Sequence, residues 1–334
     1  MVRKKSKRLP VKVGVVDLGT NSVRFAIYEL ADGKSANCLY KKKLMLRPGQ
    51  GVYRTGRLKT GTIRKLSQAF NNFHKRTQRE KVMLVKAVAT SALREAKNSG
   101  QLIRRVKKNT GIEIRVISGT QEAHLIAKGI LQFDPPRAAK AVLIDIGGGS
   151  TELSLCQNGK RQTSLSLPLG ALRLQQLFLH QDTAQHVENR LAGVAQLRRA
   201  VQAVFRQKLR TWPARSGQLA LGSSGTIRAV ARLLDRQRQQ HRFSRLWQTQ
   251  SRAKPRLKFT RRELRLLVER MLPMSRAELL RLPGMERRRL DIILTGAILL
   301  LEILDFLEVD QVRTTNHALR DGILLEFKPR RKMT

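Results

Sequence analysis

Two loops constrain this chain more than any other part of it. The first is Asp17-Leu18-Gly19-Thr20-Asn21-Ser22, which ends the apolar run 11–16 and leads into another at 23–28. The second is Asp145-Ile146-Gly147-Gly148-Gly149-Ser150-Thr151-Glu152, between the apolar runs 141–144 and 153–156. Both read as strand–turn–strand units of the same polarity. A turn of Gly, Ser and Thr offers backbone N–H groups and hydroxyls with no Cβ in the way, and successive N–H groups make a concavity for an anion. The Asp before each turn repels an anion. A divalent cation between carboxylate and phosphate removes that conflict, and Mg²⁺ takes one or two carboxylates together with phosphate oxygens and water. Either loop alone reads equally well as an ordinary hairpin. In series they predict a duplicated unit that faces a phosphate from two sides.

A third turn, Gly222-Ser223-Ser224-Gly225-Thr226, follows a short apolar run and opens a helical pattern, so it places further N–H groups at a helix N-terminus, where anions are favoured. Asp145 and Glu152 flank their turn, and a reversal of the chain there directs both carboxylates to one side. Other candidates are weaker on their own. Glu122 at the start of a helical pattern reads as a dipole-stabilising residue, and Arg94 reads as a surface arginine paired with its neighbour Glu95. His124 has no His, Cys or carboxylate at zinc-like spacing, so no zinc is expected. Ser150 and Thr151 have no Ser–His–Asp arrangement around them, which leaves water as the simpler nucleophile.

Composition narrows the partners. The chain has 334 residues, 41% of them hydrophobic, which suits two domains with real cores. Cys38 and Cys156 imply no disulfide framework, and a cytoplasmic location is expected. The basic N-terminus lacks the long apolar region of a signal peptide. The most apolar stretch, 292–301, is too short to span a bilayer and reads as a buried helix. A net charge of +43 attracts polyanions: polyphosphate, nucleic acid or an anionic surface. With only 4% aromatic residues, stacking on single-stranded bases has little support.

Along the chain, 1–10 is a basic tail and Asp32-Gly33 is a turn. Residues 47–59, rich in Gly and Pro, read as a loop. Helical spacing runs over 62–79, 102–108, 121–130, 172–209, 226–234, 264–271, 276–282, 290–307 and 318–327. Residues 236–262 are rich in Arg, Lys and Gln and hold no acidic residue, so they read as a solvated insertion that could draw a polyanion. Beyond the two half-motifs no internal repeat is visible.

Five blocks in order carry a resemblance. They are 14–22, Ala89-Thr90-Ser91-Ala92-Leu93-Arg94-Glu95-Ala96, Ile117-Ser118-Gly119-Thr120-Gln121-Glu122-Ala123, 145–152 and 222–226. Over about 13–325 the chain resembles the exopolyphosphatase and guanosine pentaphosphate phosphatase family, within the sugar kinase/Hsp70/actin fold superfamily. The resemblance implies an α/β protein of two ribonuclease-H-like (actin-like ATPase) domains with an active-site cleft between them. The expected domains are 11–124, joined by a closing helix near 316–330, and 125–315. It also implies phosphoanhydride hydrolysis. Gly19, Thr20, Asn21, Ser22, Gly147, Gly148, Gly149, Ser150 and Gly222 to Thr226 would hold phosphate, together with Arg94. Asp17, Asp145 and Glu152 would face Mg²⁺, and Glu122 would be the base. Two blocks depart from the family pattern: 288–295 lacks a usual proline, and Asn316-His317 replaces a usual Asp-Gly. The expected activity is exopolyphosphatase. The alternatives are a guanosine pentaphosphate (pppGpp) phosphohydrolase and a non-catalytic polyanion-binding protein on the same scaffold. Homodimers are common in the family, and no membrane partner is expected.

Overall fold

The computed structural model describes residues 10–31, 35–179, 187–213, 219–241 and 256–327. The basic tail up to residue 9, the Asp32-Gly33 turn and residues 242–255 of the basic segment lie outside the described residues. The chain divides into two compact units, Met1–Ser118 with Leu319–Thr334, and Gly119–Ala318.

The first unit runs β1 (Val11–Leu18), β2 (Val23–Ala31), β3 (Ser35–Leu44), α1 (Val52–Thr55), α2 (Thr60–Arg79), β4 (Leu84–Ala89), α3 (Ser91–Glu95), α4 (Ser99–Thr110) and β5 (Ile114–Val116). Among the described residues its sheet has the order β3-β2-β1-β4-β5. The β1–β2 and β2–β3 pairs are antiparallel, and β1–β4 and β4–β5 are parallel. Strand alternation puts Val16, Leu18, Phe25, Ile27, Ala87 and Ala89 on one face. The apolar stripes of α2 (Ile63, Leu66, Phe70, Phe73) and α4 (Leu102, Val106) cover that face. Phe25 meets Phe70 edge-on at 5.4 Å and Phe73 at 4.7 Å, ring centre to ring centre. Such rings bury large apolar areas and gain further from edge-to-face geometry. The stretch expected to be a loop holds one helical turn, α1, between Gly51 and Gly56, both with positive φ.

The second unit runs α5 (Gly119–Phe133), β6 (Lys140–Ile146), β7 (Thr151–Gln157), β8 (Lys160–Leu167), α6 (Ala171–Phe178), α7 (Val187–Lys208), β9 (Leu219–Gly222), α8 (Gly225–His241), β10 (Lys258–Thr260), α9 (Arg261–Met271), α10 (Arg276–Arg281), α11 (Ile293–Leu307) and β11 (Gln311–Thr314). The last helix, α12 (Leu319–Leu324), packs beside β1 in the first unit. The unbroken helix α5 spans the 124/125 boundary expected from sequence, and all of it, Glu122 included, belongs to the second unit.

The second sheet has the order β10-β11-β9-β6-β7-β8. Read from β8 to β11, it repeats the first sheet: two antiparallel pairs, then two parallel pairs. The repeat that the sequence displays only at two turns therefore extends through both sheets. Short β10 adds an antiparallel edge to β11. It falls inside the basic segment that sequence alone reads as an insertion. Helix α11 is apolar on nearly every side and buried along most of its length, as a central core helix must be. Among the described residues no helix is long and apolar enough to cross a membrane.

Candidate phosphate and carboxylate site

The two Asp–Gly turns close in the same way. Gly19 N–H donates to the Ser22 carbonyl at 3.1 Å, and Gly147 N–H donates to the Ser150 carbonyl at 2.9 Å. In each turn a later segment takes the carbonyls. At the first, Thr20 O accepts from Gly49 N–H (2.8 Å) and Asn21 O from Arg47 N–H (3.2 Å). At the second, Gly147 O accepts from Ala171 N–H (3.0 Å), and Gly148 O from the N–H groups of Leu172 and Arg173 (2.8 and 2.9 Å). Gly149 O accepts from Arg173 Nε at 2.7 Å. In a trans peptide the N–H points opposite to the C=O of the same plane. The N–H groups of Asn21 and Ser22, and of Gly148, Gly149 and Ser150, are thereby turned away from the segments that hold the carbonyls.

This closeness bears on two glycines outside the motifs, Gly170 and Gly49. A Cβ on Gly170, at the N-cap of α6, would sit 2.5 Å from the backbone N and C of Gly149, so only glycine fits there. Gly49 likewise presses directly on the Thr20 side chain.

The residues that flank the turns are register partners. Asp17 faces Arg24 on β2, and Asp145 faces Glu152 on β7. Direct partners in an antiparallel pair project from the same face of the sheet. The first pair is complementary: Arg24 Nη1 donates to the buried Asp17 Oδ2 at 2.8 Å. The second pair is two acids. Ser223 Oγ donates to Asp145, and Ser166 Oγ donates to Glu152 Oε1 at 2.7 Å. Burial, then the charges of Glu122 and Asp145, push the Glu152 carboxyl well above the ordinary carboxylate range, against the opposing hydroxyls of Ser166 and Ser150. Glu122 is itself buried in the first turn of α5. One residue earlier than that turn's Thr120, Gly119 lies so close to Ser166 that a Cβ would approach Ser166 Oγ to 2.6 Å. Gly119 and Ser166 therefore connect α5 to the Glu152 carboxylate. Neither Ser166 nor Gly170 has a sequence signal beyond its residue type.

The third turn lies against this group. Ser223 N–H donates to the Ile144 carbonyl at 2.9 Å, one residue before Asp145. Ser224 Oγ accepts from Ile227 N–H at 3.1 Å and so caps α8. Arg228 holds the Ser223 carbonyl and, at 3.0 Å, the Thr315 carbonyl. The buried Arg289 guanidinium presses directly on Gly225. Burial lowers the pKa of Arg289 to about 10, Glu286 opposes the shift, and Arg232, Arg288 and Arg228 add to it. Arg289 lies in the 288–295 block but has no local signal for this role.

In the first unit a chain of hydroxyls ties the turn to α3. Thr20 Oγ1 lies 3.1 Å from Tyr53 Oη, which lies 3.0 Å from Ser91 Oγ. Ser91 in turn donates to Glu95 Oε1 at 3.0 Å. The neighbouring Arg94 donates through Nη1 to the Ile117 carbonyl at 2.8 Å. The structure groups Asp17, Thr20 and the Arg94 helix in one unit. It groups Glu122, Asp145, Glu152, the glycine-rich turn and the third turn in the other. Among the described residues no three His, Cys, Asp or Glu side chains form a group able to hold a metal ion by themselves.

The chain is similar to known proteins in both sequence and fold. The model of the Ppx/GppA phosphatase family matches residues 26–331. Exopolyphosphatase 1 of Mycobacterium tuberculosis is 29% identical over 321 residues, covering 94% of this chain and 88% of the relative. A solved structure of the Aquifex aeolicus PPX-GPPA enzyme is 25% identical, with a TM-score of 0.74 over 96% of this chain and 100% of that one. An exopolyphosphatase structure from Cytophaga hutchinsonii, 24% identical, has a TM-score of 0.77 over 94% of this chain and 96% of that one, and shows the shared fold.

Proposed function

We propose that this chain, which belongs to the Ppx/GppA phosphatase family, is an exopolyphosphatase that releases orthophosphate from the ends of inorganic polyphosphate. The observation that carries the reading is the acidic group of buried Glu122 and Glu152 with half-buried Asp145, beside a turn whose carbonyls are held back by α6. The repeated sheet order supports reading both units as ribonuclease-H-like domains of the actin-like ATPase kind.

Phosphoryl transfer to water needs the phosphoryl held, its charge offset, and a water aimed in line. The outward N–H groups of Gly148, Gly149 and Ser150 bind phosphate oxygens, as do those of Asn21 and Ser22. Arg94 offers a planar fork for two oxygens. Glu122, buried in the first turn of α5, is the carboxylate that takes a proton from the attacking water.

The donor set suits Mg²⁺. Asp145 and Glu152 are two register-paired carboxylates, the number Mg²⁺ uses when phosphate oxygens and water complete its shell, and their mutual repulsion is what a divalent cation relieves. When bound, Mg²⁺ offsets charge on the phosphate. Asp17 is different: Arg24 already neutralises it, so its part is to fix that arginine and the turn.

The relatives named exopolyphosphatase favour polyphosphate over guanosine pentaphosphate as substrate. Purified protein with Mg²⁺ and polyphosphate should release orthophosphate, and Glu122→Gln should nearly abolish release while polyanion binding persists. Hydrolysis of pppGpp without release from polyphosphate would assign the protein to the pentaphosphate phosphatases. Binding with no turnover of either substrate would make it a polyanion-binding protein.

A further inference from the structure

We infer that the outer faces of α2 and α4 form a docking surface for the phosphate backbone of double-stranded nucleic acid, separate from the site above. Both helices cover the same face of the first sheet and pack against each other. Their outer sides therefore look away from the sheet together. Neither helix contains an acidic residue. On α2 the exposed cations are Arg64, Lys65, Lys75 and Arg79. On α4 they include Arg104, Arg105 and Lys108. None of these makes an ion pair among the described residues. The acids just beyond each helix pair with other cations, two of them on these helices: Glu80 with Arg76 (2.7 Å) and Lys12 (3.5 Å), and Glu113 with Lys107 (3.0 Å).

An uncompensated face of this kind needs a polyanion, and its layout selects which one. The cations of α2 extend over about 22 Å at 1.5 Å per residue. A second row lies on α4, with packed helix axes about 8–10 Å apart. One thread of polyphosphate needs only one row. Two rows match the two phosphate strands that border a groove of a duplex, whose grooves are about 6–12 Å wide. Gln68 and Asn72, exposed between the cations of α2, add hydrogen-bond donors for phosphate oxygens. No aromatic ring stands exposed on either helix: Phe70 and Phe73 are buried, and α4 has none. Base stacking is thereby excluded, and contact falls to the backbone without regard to sequence.

The test uses the full chain and a mixed-sequence duplex of about 20 base pairs, with affinity measured by fluorescence anisotropy across a salt series. The variant Lys75→Gln/Arg79→Gln/Arg104→Gln/Arg105→Gln is compared with Arg199→Gln/Arg206→Gln/Arg262→Gln/Arg281→Gln. The second variant loses the same charge from exposed positions of the other unit. For the first, the slope of log affinity against log salt should become shallower by about two to four, and affinity near 150 mM salt should fall at least about tenfold. For the second, the slope should stay within about one of wild type. Equal losses in both variants would show diffuse charge and overturn the proposal. So would absence of duplex binding by wild type. A first variant that keeps duplex binding but loses polyphosphate binding would make the face a polyphosphate track and overturn it as well. Because the duplex assay reads no hydrolysis, its result stands apart from the proposed activity.

Discussion

Asp145 faces Glu152 across the β6–β7 ladder at the position where, in the first unit, Asp17 faces Arg24. One fold element thus has two electrostatic outcomes: a neutral pair in one copy, and two acids with Glu122 close by in the other. The repulsion that a divalent cation would relieve exists only in the second.

The acid pair makes stability depend on pH. The folded-state pKa of Glu152 is raised, so its contribution is fully present below the unfolded value of about 4.3 and is lost as pH rises through the folded value. Without divalent metal, Glu152→Gln should therefore melt higher than wild type at neutral pH and converge with it near pH 4, at about 2–4 °C per kcal/mol for a unit of this size. Adding Mg²⁺ should narrow the gap. Calorimetry across pH checks this, and a gap that widens towards acid pH would contradict it.

The first pair responds in the opposite way to the loss of its cation. Arg24→Gln leaves the buried Asp17 carboxylate without its 2.8 Å partner. Because Arg24 is partly exposed, the cost is smaller than for a fully buried pair, about 1–3 kcal/mol. The double variant Asp17→Asn/Arg24→Gln should recover part of that loss in denaturant melts.

Gly170→Ala tests the close approach of α6 to the glycine-rich turn. The added methyl meets the backbone of Gly148 and Gly149 and must displace one of them. Overpacking of this kind costs about 1–3 kcal/mol. Phosphate release should fall at least about tenfold, since displaced donors no longer meet the phosphate oxygens. A variant with normal kcat/KM would show that the turn does not hold the substrate.

Tyr53→Phe keeps the ring and removes the hydroxyl between Thr20 and Ser91. One hydrogen-bonding group of this kind is worth about 1 kcal/mol. If the link aligns the first turn with the Arg94 helix, KM should rise about fivefold with kcat nearly unchanged. A purely structural role would lower the melting temperature and leave KM alone.

What the sequence made legible follows from how local each signal is. The apolar runs at 11–16 and 141–144, and the helical spacing from Ile63 to Phe73, are read directly from neighbouring residues, and they form β1, β6 and α2. Glu122, Asp145 and Glu152 were identified as candidates, and the register and burial bring them into mutual reach. Ser166, Gly170, Tyr53 and Arg289 were not seen, because each acts through a partner distant in the chain: Glu152, Gly149, Thr20 and Gly225. Strand β10 escaped for a related reason. It has three residues in a basic stretch, and pairing with β11 rather than any apolar pattern defines it.

The bonds that close the two turns, Gly19 to Ser22 and Gly147 to Ser150, are made within the chain's own backbone, and so are those that anchor the turn carbonyls. The donors left for an anion are fixed in direction before it arrives, so capture costs little loop ordering. Affinity for successive phosphates should then depend on charge and contact rather than on folding of the site. An anion could leave such a site and return to it without the backbone being reset.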